Sequence, residues 1–229
     1  MTLRLVVPDG PLRRPSLELL AAAGLPPAAL PSDDVAPSDH VASSGEAAPR
    51  VEPTPLDAVV SVVVPTDLAS YLTGGAADAG LVPGDLLLER ETGLCELLDL
   101  RFGRSLLVCA EAPGATVRAE RLGRLRVATR HPTLAQAYFT GRRLPTEVVV
   151  LDGSLERAAL DGLADAVVTL VPPVEGLQDG QGRLGGLAVT GVVAESTVRL
   201  VAARGARVLR ADELAVLTAR LRTLVGEGR

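Results

Sequence analysis

The chain of 229 residues has no tryptophan, and its sequence also lacks lysine, asparagine and isoleucine. All 23 basic residues are therefore arginine, and aromatic residues make up 2% of the chain. Lysine, asparagine and isoleucine share codons rich in A and T, so a genome rich in G and C explains their absence. Such a bias turns lysine into arginine, but it gives no reason to turn lysine into aspartate.

Cysteine is scarce as well, because the chain has two, Cys95 and Cys109. They form no CxxC pair and have no paired histidines at metal-ligand spacing, which argues against a zinc site or a disulfide framework. We interpret both as half-buried thiols in a reducing compartment.

Long apolar runs are also missing. No uninterrupted stretch approaches the roughly 20 residues of a membrane helix, and residues 2–8 lack the apolar core of a signal peptide. We therefore expect a cytoplasmic protein that does not contact a membrane. The net charge of −5, without a basic stripe, argues against nucleic-acid binding. A content of 47% hydrophobic and 22% charged residues is typical of a globular protein with one large domain or two small ones.

What is present is an alternation of strand and helix patterns, which predicts parallel α/β units. We expect strands at 3–7, 59–64, 81–82, at two places within 97–110, and at 124–129, 147–151, 166–171 and 192–202. We expect helices at 16–23, 67–72, 84–90, 132–139, 155–163 and 212–225. Residues 26–57 carry few large apolar groups, so we predict a flexible low-complexity loop there.

Two similar segments each place one aspartate in a small-residue turn between a helix and an apolar strand. They are residues 75–82, with Asp78, and residues 162–168, with Asp165. Ligands of open α/β sheets bind at a strand edge, so the pair predicts two α/β lobes with a ligand cleft between them. The alternative is that both aspartates only form turns.

Other catalytic motifs are weak or absent. No Walker loop is present, and no GxGxxG follows a strand. Ser154 follows Gly153 where a strand meets a helix, but the full GxSxG is missing and no histidine lies downstream, so a helix cap is favoured over a nucleophile. His131, next to Pro132, is interpreted as a packing residue at a helix start.

Eight segments resemble, in order, the ATP phosphoribosyltransferases of histidine biosynthesis. Their similarity extends from about residue 65 to residue 202, and all four aromatic residues fall on family positions. The segments are residues 67–72, 75–82, 85–89, 96–103, 126–139, 153–156, 162–168 and 196–200.

This resemblance implies an α/β protein with a two-lobed, periplasmic-binding-protein-like (type II) fold and a cleft between the lobes. Residues 1–100 and 182–229 would form lobe I, and residues 101–181 lobe II. Members of the family condense ATP with phosphoribosyl pyrophosphate and use magnesium. Short forms are oligomers that pair with a histidyl-tRNA-synthetase-like regulatory subunit, and this chain has no room for the regulatory domain of long forms.

The resemblance also implies the site residues, although it assigns no catalytic residue and no metal ligand. The positions expected to face substrate in the cleft are Asp9, Gly10, Asp78, Gly80, Ser154, Glu156 and Asp165. The positions equivalent to the phosphate loop are Thr169, Pro172, Pro173, Val174, Glu175 and Gly176.

Charged positions depart most from the family. In the family, the first strand is followed by Pro-Lys-Gly-Arg; residues 8–11 of this chain are Pro-Asp-Gly-Pro. The family's phosphate loop is roughly Asp-x-Val-x-Thr-Gly-x-Thr-Leu; residues 169–177 are Thr-Leu-Val-Pro-Pro-Val-Glu-Gly-Leu. A phosphate needs several converging N–H and hydroxyl donors. Pro172 and Pro173 have no N–H, and Glu175 adds a negative charge.

Three hypotheses about the function therefore remain. The first is an ATP phosphoribosyltransferase with weakened or lost activity. The second is a non-catalytic paralogue that serves as a regulatory or scaffold subunit, or that binds another small anionic ligand. The third is a solute-binding protein of the same fold, which the missing export signal argues against.

Overall fold

The computed structural model describes residues 2–25, 56–173 and 182–226. The chain divides into two compact units, each built around its own sheet. The first unit consists of Met1–Pro83, Thr92–Arg101 and Val198–Arg229, and the second of Gly84–Glu91 and Phe102–Thr197.

Strands and helices alternate along most of the chain. The strands are β1 (Leu3–Pro8), β2 (Ala58–Val63), β3 (Ala79–Pro83), β4 (Cys95–Asp99), β5 (Ser105–Glu111), β6 (Leu125–Thr129), β7 (Thr146–Val150), β8 (Ala166–Val171), β9 (Arg183–Leu184), β10 (Leu187–Ser196) and β11 (Val198–Ala202). The helices are α1 (Arg13–Ala22), α2 (Leu68–Thr73), α3 (Gly84–Glu89), α4 (Ala115–Leu122), α5 (Pro132–Gly141), α6 (Leu155–Leu160), α7 (Arg204–Leu209) and α8 (Ala211–Gly226).

The sheet of the first unit has the order β2-β1-β3-β11-β4. Its first three strands are parallel, and β11 is antiparallel to both of its neighbours. Leu5, Val6 and Val7 of β1 are all buried, as expected for a parallel strand that is covered on both faces. Helices α1 and α2 pack against β1, and α8 packs against β4.

The sheet of the second unit has the order β7-β6-β8-β5-β10-β9. Three parallel strands, β7, β6 and β8, are again followed by an antiparallel one, β5. Alternate residues of β5 enter two cores on opposite faces of this sheet: Leu106 and Val108 enter one, and Leu107 and Cys109 the other. The two units therefore share a four-strand arrangement, β2-β1-β3-β11 in one and β7-β6-β8-β5 in the other.

Several elements differ from the sequence predictions. The single strand predicted at 192–202 is wrong, because β10 ends at Ser196 and β11 begins at Val198 in the other sheet. Residues 182–197 were expected in lobe I, whereas β10 pairs with β5 in the second unit. Helices α4 and α7 and strand β9 were not predicted.

The predicted loop at residues 26–57 lies outside the described residues except for Leu56 and Asp57. Leu56 is buried, and the carbonyl of Asp57 accepts a hydrogen bond from the amide of Leu3 at the start of β1. None of the helices in the described ranges has both the length and the apolar character needed to cross a membrane.

Candidate functional site

The two turns that carry Asp78 and Asp165 have the same backbone structure. In the first unit, the amides of Ala76 and Ala77 both donate to the carbonyl of Tyr71, and the second unit repeats this pattern bond for bond. Two residues after the end of each helix lies a glycine in the left-handed region, with φ of 74° at Gly75 and 83° at Gly162. The sequence similarity of the two segments therefore reflects a repeated helix-to-strand turn.

Each aspartate is held by an arginine of the neighbouring parallel strand. Arg4 donates to Asp78 from its backbone amide and from Nε, both to Oδ2, and from Nη2 to Oδ1, at 2.9, 3.2 and 2.7 Å. Arg126 donates the same three bonds to Asp165, each at 3.0 Å. In return, the amide of each aspartate donates to the carbonyl of its arginine at 2.8 Å.

Asp165 has a second arginine as well. Arg118 Nε donates to its Oδ1 at 2.8 Å, and the aspartate side chain has no exposed surface. Burial raises the pKa of Asp165, but the hydrogen bonds from Arg126 and Arg118 outweigh it and hold the pKa well below its ordinary value. The pKa of Asp78 is lowered too, because the bonds from Arg4 outweigh the effect of burial.

The position of the two aspartates in their sheets bears on their role. Asp78 immediately precedes β3 and Asp165 immediately precedes β8, so both lie at the amino ends of parallel strands. Ligands of open α/β sheets bind outside the carboxyl ends. The geometry therefore favours the turn-forming alternative for both residues over contact with substrate.

Two other predicted residues of the first unit, Asp9 and Gly10, do lie at a carboxyl end. Asp9 follows β1, its amide donates to the carbonyl of Val63 at 2.8 Å, and its carboxylate faces Arg13 Nη1 at 3.7 Å. Gly10 has φ of 78°, which only glycine adopts without strain. The sequence Asp9-Gly10 thus places a carboxylate where the family resemblance leads one to expect a lysine.

Gly80 has a packing role inside β3. A Cβ atom at this position would lie 2.6 Å from Val6 Cγ2 and 2.9 Å from the Val6 carbonyl oxygen. Glycine is therefore required for the close pairing of β1 with β3. Gly80 therefore serves the packing of β3 against β1 and does not lie at the carboxyl edge of the sheet, where a ligand would bind.

The remaining predicted residues that the structure describes lie near the carboxyl ends of β7 and β8 in the second unit. Ser154 accepts a bond from the amide of Arg157 at 3.4 Å and so caps α6, whose first turn contains Glu156. Thr169 lies within β8 and is half-buried, whereas Pro172 and Pro173 follow β8 directly and are exposed. Val174, Glu175 and Gly176 lie outside the described residues.

Sequence reasoning missed a carboxylate at the start of α5. Glu89, at the end of α3, accepts hydrogen bonds from the first-turn amides of Thr133 and Leu134 at 2.7 and 3.0 Å. These amides would otherwise attract an anion. The helix begins at Pro132, and the side chain of the preceding His131 makes no capping hydrogen bond. A capping group from elsewhere in the chain was therefore to be expected.

A buried polar cluster next to this cap also went unpredicted. Ser196 Oγ donates to Asp85 Oδ1 at 2.7 Å and accepts from the Asp85 amide at 3.0 Å. His131 Nε2 lies 3.0 Å from Asp85 Oδ2, and the imidazole is 7% exposed. Burial raises the pKa of Asp85, but the bonds from His131 and Ser196 outweigh it, so the pKa is lowered. The carboxylate acts here as a buried acceptor that joins α3 to β10 and α5.

Metal-binding groups are few in the described part of the chain. Within residues 2–25, 56–173 and 182–226, no group of three or more His, Cys, Asp or Glu side chains could hold an ion.

Comparison with solved structures defines the class of protein. A chain of the ATP phosphoribosyl transferase (HisG:HisZ) complex from Thermotoga maritima matches with a TM-score of 0.72 at 23% identity, covering 99% of this chain and 100% of that one. A probable amino-acid ABC transporter extracellular-binding protein from Bacillus subtilis matches with a TM-score of 0.56 at 14% identity, covering 100% and 93%. The α/β fold is thus of the two-lobed, periplasmic-binding-protein-like type II class, as predicted.

Comparison of sequences defines the family. The family model described as ATP phosphoribosyltransferase (HisG) matches residues 64–223. The ATP phosphoribosyltransferase of Moorella thermoacetica is 32% identical over 99% of this chain and 94% of its own length. That of Symbiobacterium thermophilum is 38% identical over 70% of this chain and 71% of its own length. The chain belongs to the ATP phosphoribosyltransferase family, and the predicted resemblance is confirmed.

Proposed function

We propose that this chain is an ATP phosphoribosyltransferase whose binding of phosphoribosyl pyrophosphate is weakened, so that its turnover is far below that of its relatives or lost. The reaction of the family joins ATP to phosphoribosyl pyrophosphate as the first step of histidine biosynthesis. The observation that carries the proposal is that β8 runs directly into Pro172 and Pro173 at the carboxyl edge of the second sheet.

The two prolines matter because of what a phosphate requires. A ribose 5-phosphate dianion is held by several N–H and hydroxyl donors that converge on it. Proline has no N–H, so two donors are missing where the family loop would begin. The sequence continues with Val174 and Glu175, which replace a flexible glycine with a branched residue and add a negative charge.

Other donors at the same edge of the second unit are already used. The carboxylate of Glu89 occupies the first-turn amides of α5, and Ser154 Oγ caps α6. Arg130 Nη2 donates to the carbonyl oxygen of Asp152. A phosphate that arrived here would have to compete with these internal partners.

The first unit adds a further weakness at the end of β1. Asp9 stands where the resemblance implies lysine, and its carboxylate would repel a pyrophosphate. We propose that Asp9 and Gly10 in the first unit, and Ser154, Glu156, Thr169, Pro172 and Pro173 in the second, are remnants of substrate-binding positions. Asp78, Gly80 and Asp165 would instead support the strands of their own units.

Magnesium would enter with the substrate. Mg²⁺ is commonly bound by one or two carboxylates together with substrate phosphates. The main ligands of the ion would then be the oxygens of phosphoribosyl pyrophosphate.

A non-catalytic role is the second candidate. The similar Thermotoga maritima structure is described as a HisG:HisZ complex, so we propose that this chain also forms an oligomer and binds a histidyl-tRNA-synthetase-like regulatory subunit. As a non-catalytic protein, the chain would act as a scaffold or regulatory subunit, or bind another small anion, without transferring a phosphoribosyl group. We place either role in the cytoplasm, where the nucleotide substrates of the family are made.

The test is an initial-rate assay with ATP, phosphoribosyl pyrophosphate and Mg²⁺, with the Moorella thermoacetica relative as the positive control. Charge-assisted phosphate contacts are worth roughly 1.5–3 kcal/mol each, so the loss of two predicts a rate lower by about a hundredfold or more. A rate within about tenfold of the control would overturn the weakened-enzyme proposal. If activity is absent both for the chain alone and for a stable complex with a co-purified regulatory chain, the second role is supported.

A further inference from the structure

A cavity of about 650 Å³ opens at the amino edge of the first sheet, on the opposite side from Asp9. It lies beside the turn that carries Asp78, and residues from α2, α7 and the segment before β4 line it. Its volume is within the range of small-molecule sites, roughly 300–1,000 Å³. The proposed substrate remnant does not include it.

The charged side chains of this cavity are mostly arginines. Three arginines line it, Arg4, Arg204 and Arg210, against a single acidic residue, Asp78. Asp78 is already bonded to Arg4, and the charge of Arg210 also lowers the pKa of Asp78. Arg210 also pairs with Glu213, outside the lining, at 3.4 Å, so Arg204 carries the positive charge that remains for a ligand.

Arg204 is the arginine best placed to receive a ligand. Its Nε donates to the carbonyl oxygen of Gly93 at 2.7 Å, which fixes the guanidinium at the cavity wall. Across the ranges that the structure describes, it forms no ion pair with a carboxylate. A guanidinium anchored through one nitrogen still offers its other donors in the planar arrangement that matches an oxyanion.

The rest of the wall is apolar. Leu94 and Leu209 line the cavity together with alanines and glycines, and the fully buried Leu72 lies beneath them. Leu209 is 81% exposed and adds apolar surface at the rim. A ligand with an apolar body would cover this surface while its charged group meets Arg204.

From this arrangement we propose that the cavity is a binding site for a small organic anion, with a phosphate or carboxylate group at Arg204 and an apolar body against the leucines. The site is independent of the proposed transferase activity, since it lies at the amino edge of the first sheet. It would give the chain a ligand even if phosphoribosyl pyrophosphate no longer binds.

The probes are phenyl phosphate and benzoate, with benzyl alcohol as the uncharged analogue, titrated into the full chain without ATP or phosphoribosyl pyrophosphate. Leucine methyl signals in the NMR spectrum report the location. We expect saturable shifts of the Leu72, Leu94 and Leu209 methyls with at least one anion and none with benzyl alcohol, while Leu155 in the second unit stays unchanged.

Two matched variants complete the test. R204M keeps an unbranched apolar side chain but removes the charge, and we expect it to weaken binding by about tenfold or more. R14M makes the same change on α1, away from the cavity, and should bind as the parent does. If neither anion shifts the cavity methyls, if R204M binds as tightly as R14M, or if Leu155 shifts instead, the proposal is overturned.

Discussion

Replacement of Asp165 by asparagine tests whether the repeated aspartate turn is structural. The carboxylate is fully buried and accepts four hydrogen bonds from Arg126 and Arg118. The side-chain amide of asparagine carries no negative charge, and its NH₂ group would face the N–H donors of the arginines. Breaking a buried pair costs about 3–5 kcal/mol. Because Arg118 and Arg126 are 35% and 24% exposed and can gain water, we expect a cost near the lower bound, about 3 kcal/mol.

The assay is thermal unfolding followed by circular dichroism. For a chain of this length, about 3 kcal/mol corresponds to a fall in Tm of roughly 6–12 °C. D161N is the matched control, because Asp161 pairs with Arg157 on the surface, where both side chains are more than half exposed. That pair should be worth less than about 1 kcal/mol. If D165N and D161N melt together, the structural role of Asp165 is refuted.

The pH dependence of the same comparison supplies a second check. The pKa of Asp165 is lower in the folded chain than in the unfolded one. Its contribution is therefore complete above the unfolded pKa, about 3.9, and is lost as the pH falls through the folded value. We expect the stability difference between parent and D165N to be constant from pH 8 to about 5 and to shrink only in stronger acid. A difference that vanishes near neutral pH would contradict this assignment.

Three further predictions concern packing, capping and the loop. G80A should destabilise by about 1–3 kcal/mol, since its Cβ meets Val6, whereas G205A in α7, where nothing lies within 4 Å, should be neutral or stabilising in the same melts. E89A should cost about 1–3 kcal/mol, because two amides of α5 lose their acceptor; an unchanged Tm would contradict the cap. A Thr-Gly-x-Thr loop grafted onto residues 172–176 should not restore activity in a rate assay, because Asp9 remains; full recovery would show that the loop is the sole defect.

Local sequence patterns were sufficient to predict most elements of the sheets. The strand predicted at 166–171 is β8 without a change of boundary, and the helix predicted at 155–163 contains α6. Both depend on signals within a few residues: β-branched runs for the strand, and Ser154 as the cap of the helix. The repeat of the aspartate turns was also visible, because glycine and alanine recur at matching positions.

The role of those aspartates was not visible in the sequence. Arg4 and Arg126 lie far from their aspartates along the chain, and only strand pairing brings them together. The same applies to Glu89, whose partners on α5 are more than 40 positions away. The residue pattern of a short segment contains no information about contacts between residues that lie far apart in the sequence. The break at Thr197 was missed for a related reason, since both sides of it have strand-like residues and only the sheets show the exchange.

The most direct test of the central claim is a calorimetric titration of the full chain with phosphoribosyl pyrophosphate in the presence of Mg²⁺, beside the Moorella thermoacetica relative. Because Pro172 and Pro173 remove donors and Asp9 adds repulsion, we predict no saturable heat, which corresponds to a dissociation constant weaker than about 1 mM, while the relative binds. A dissociation constant in the micromolar range for this chain would contradict the claim that its phosphate site is lost.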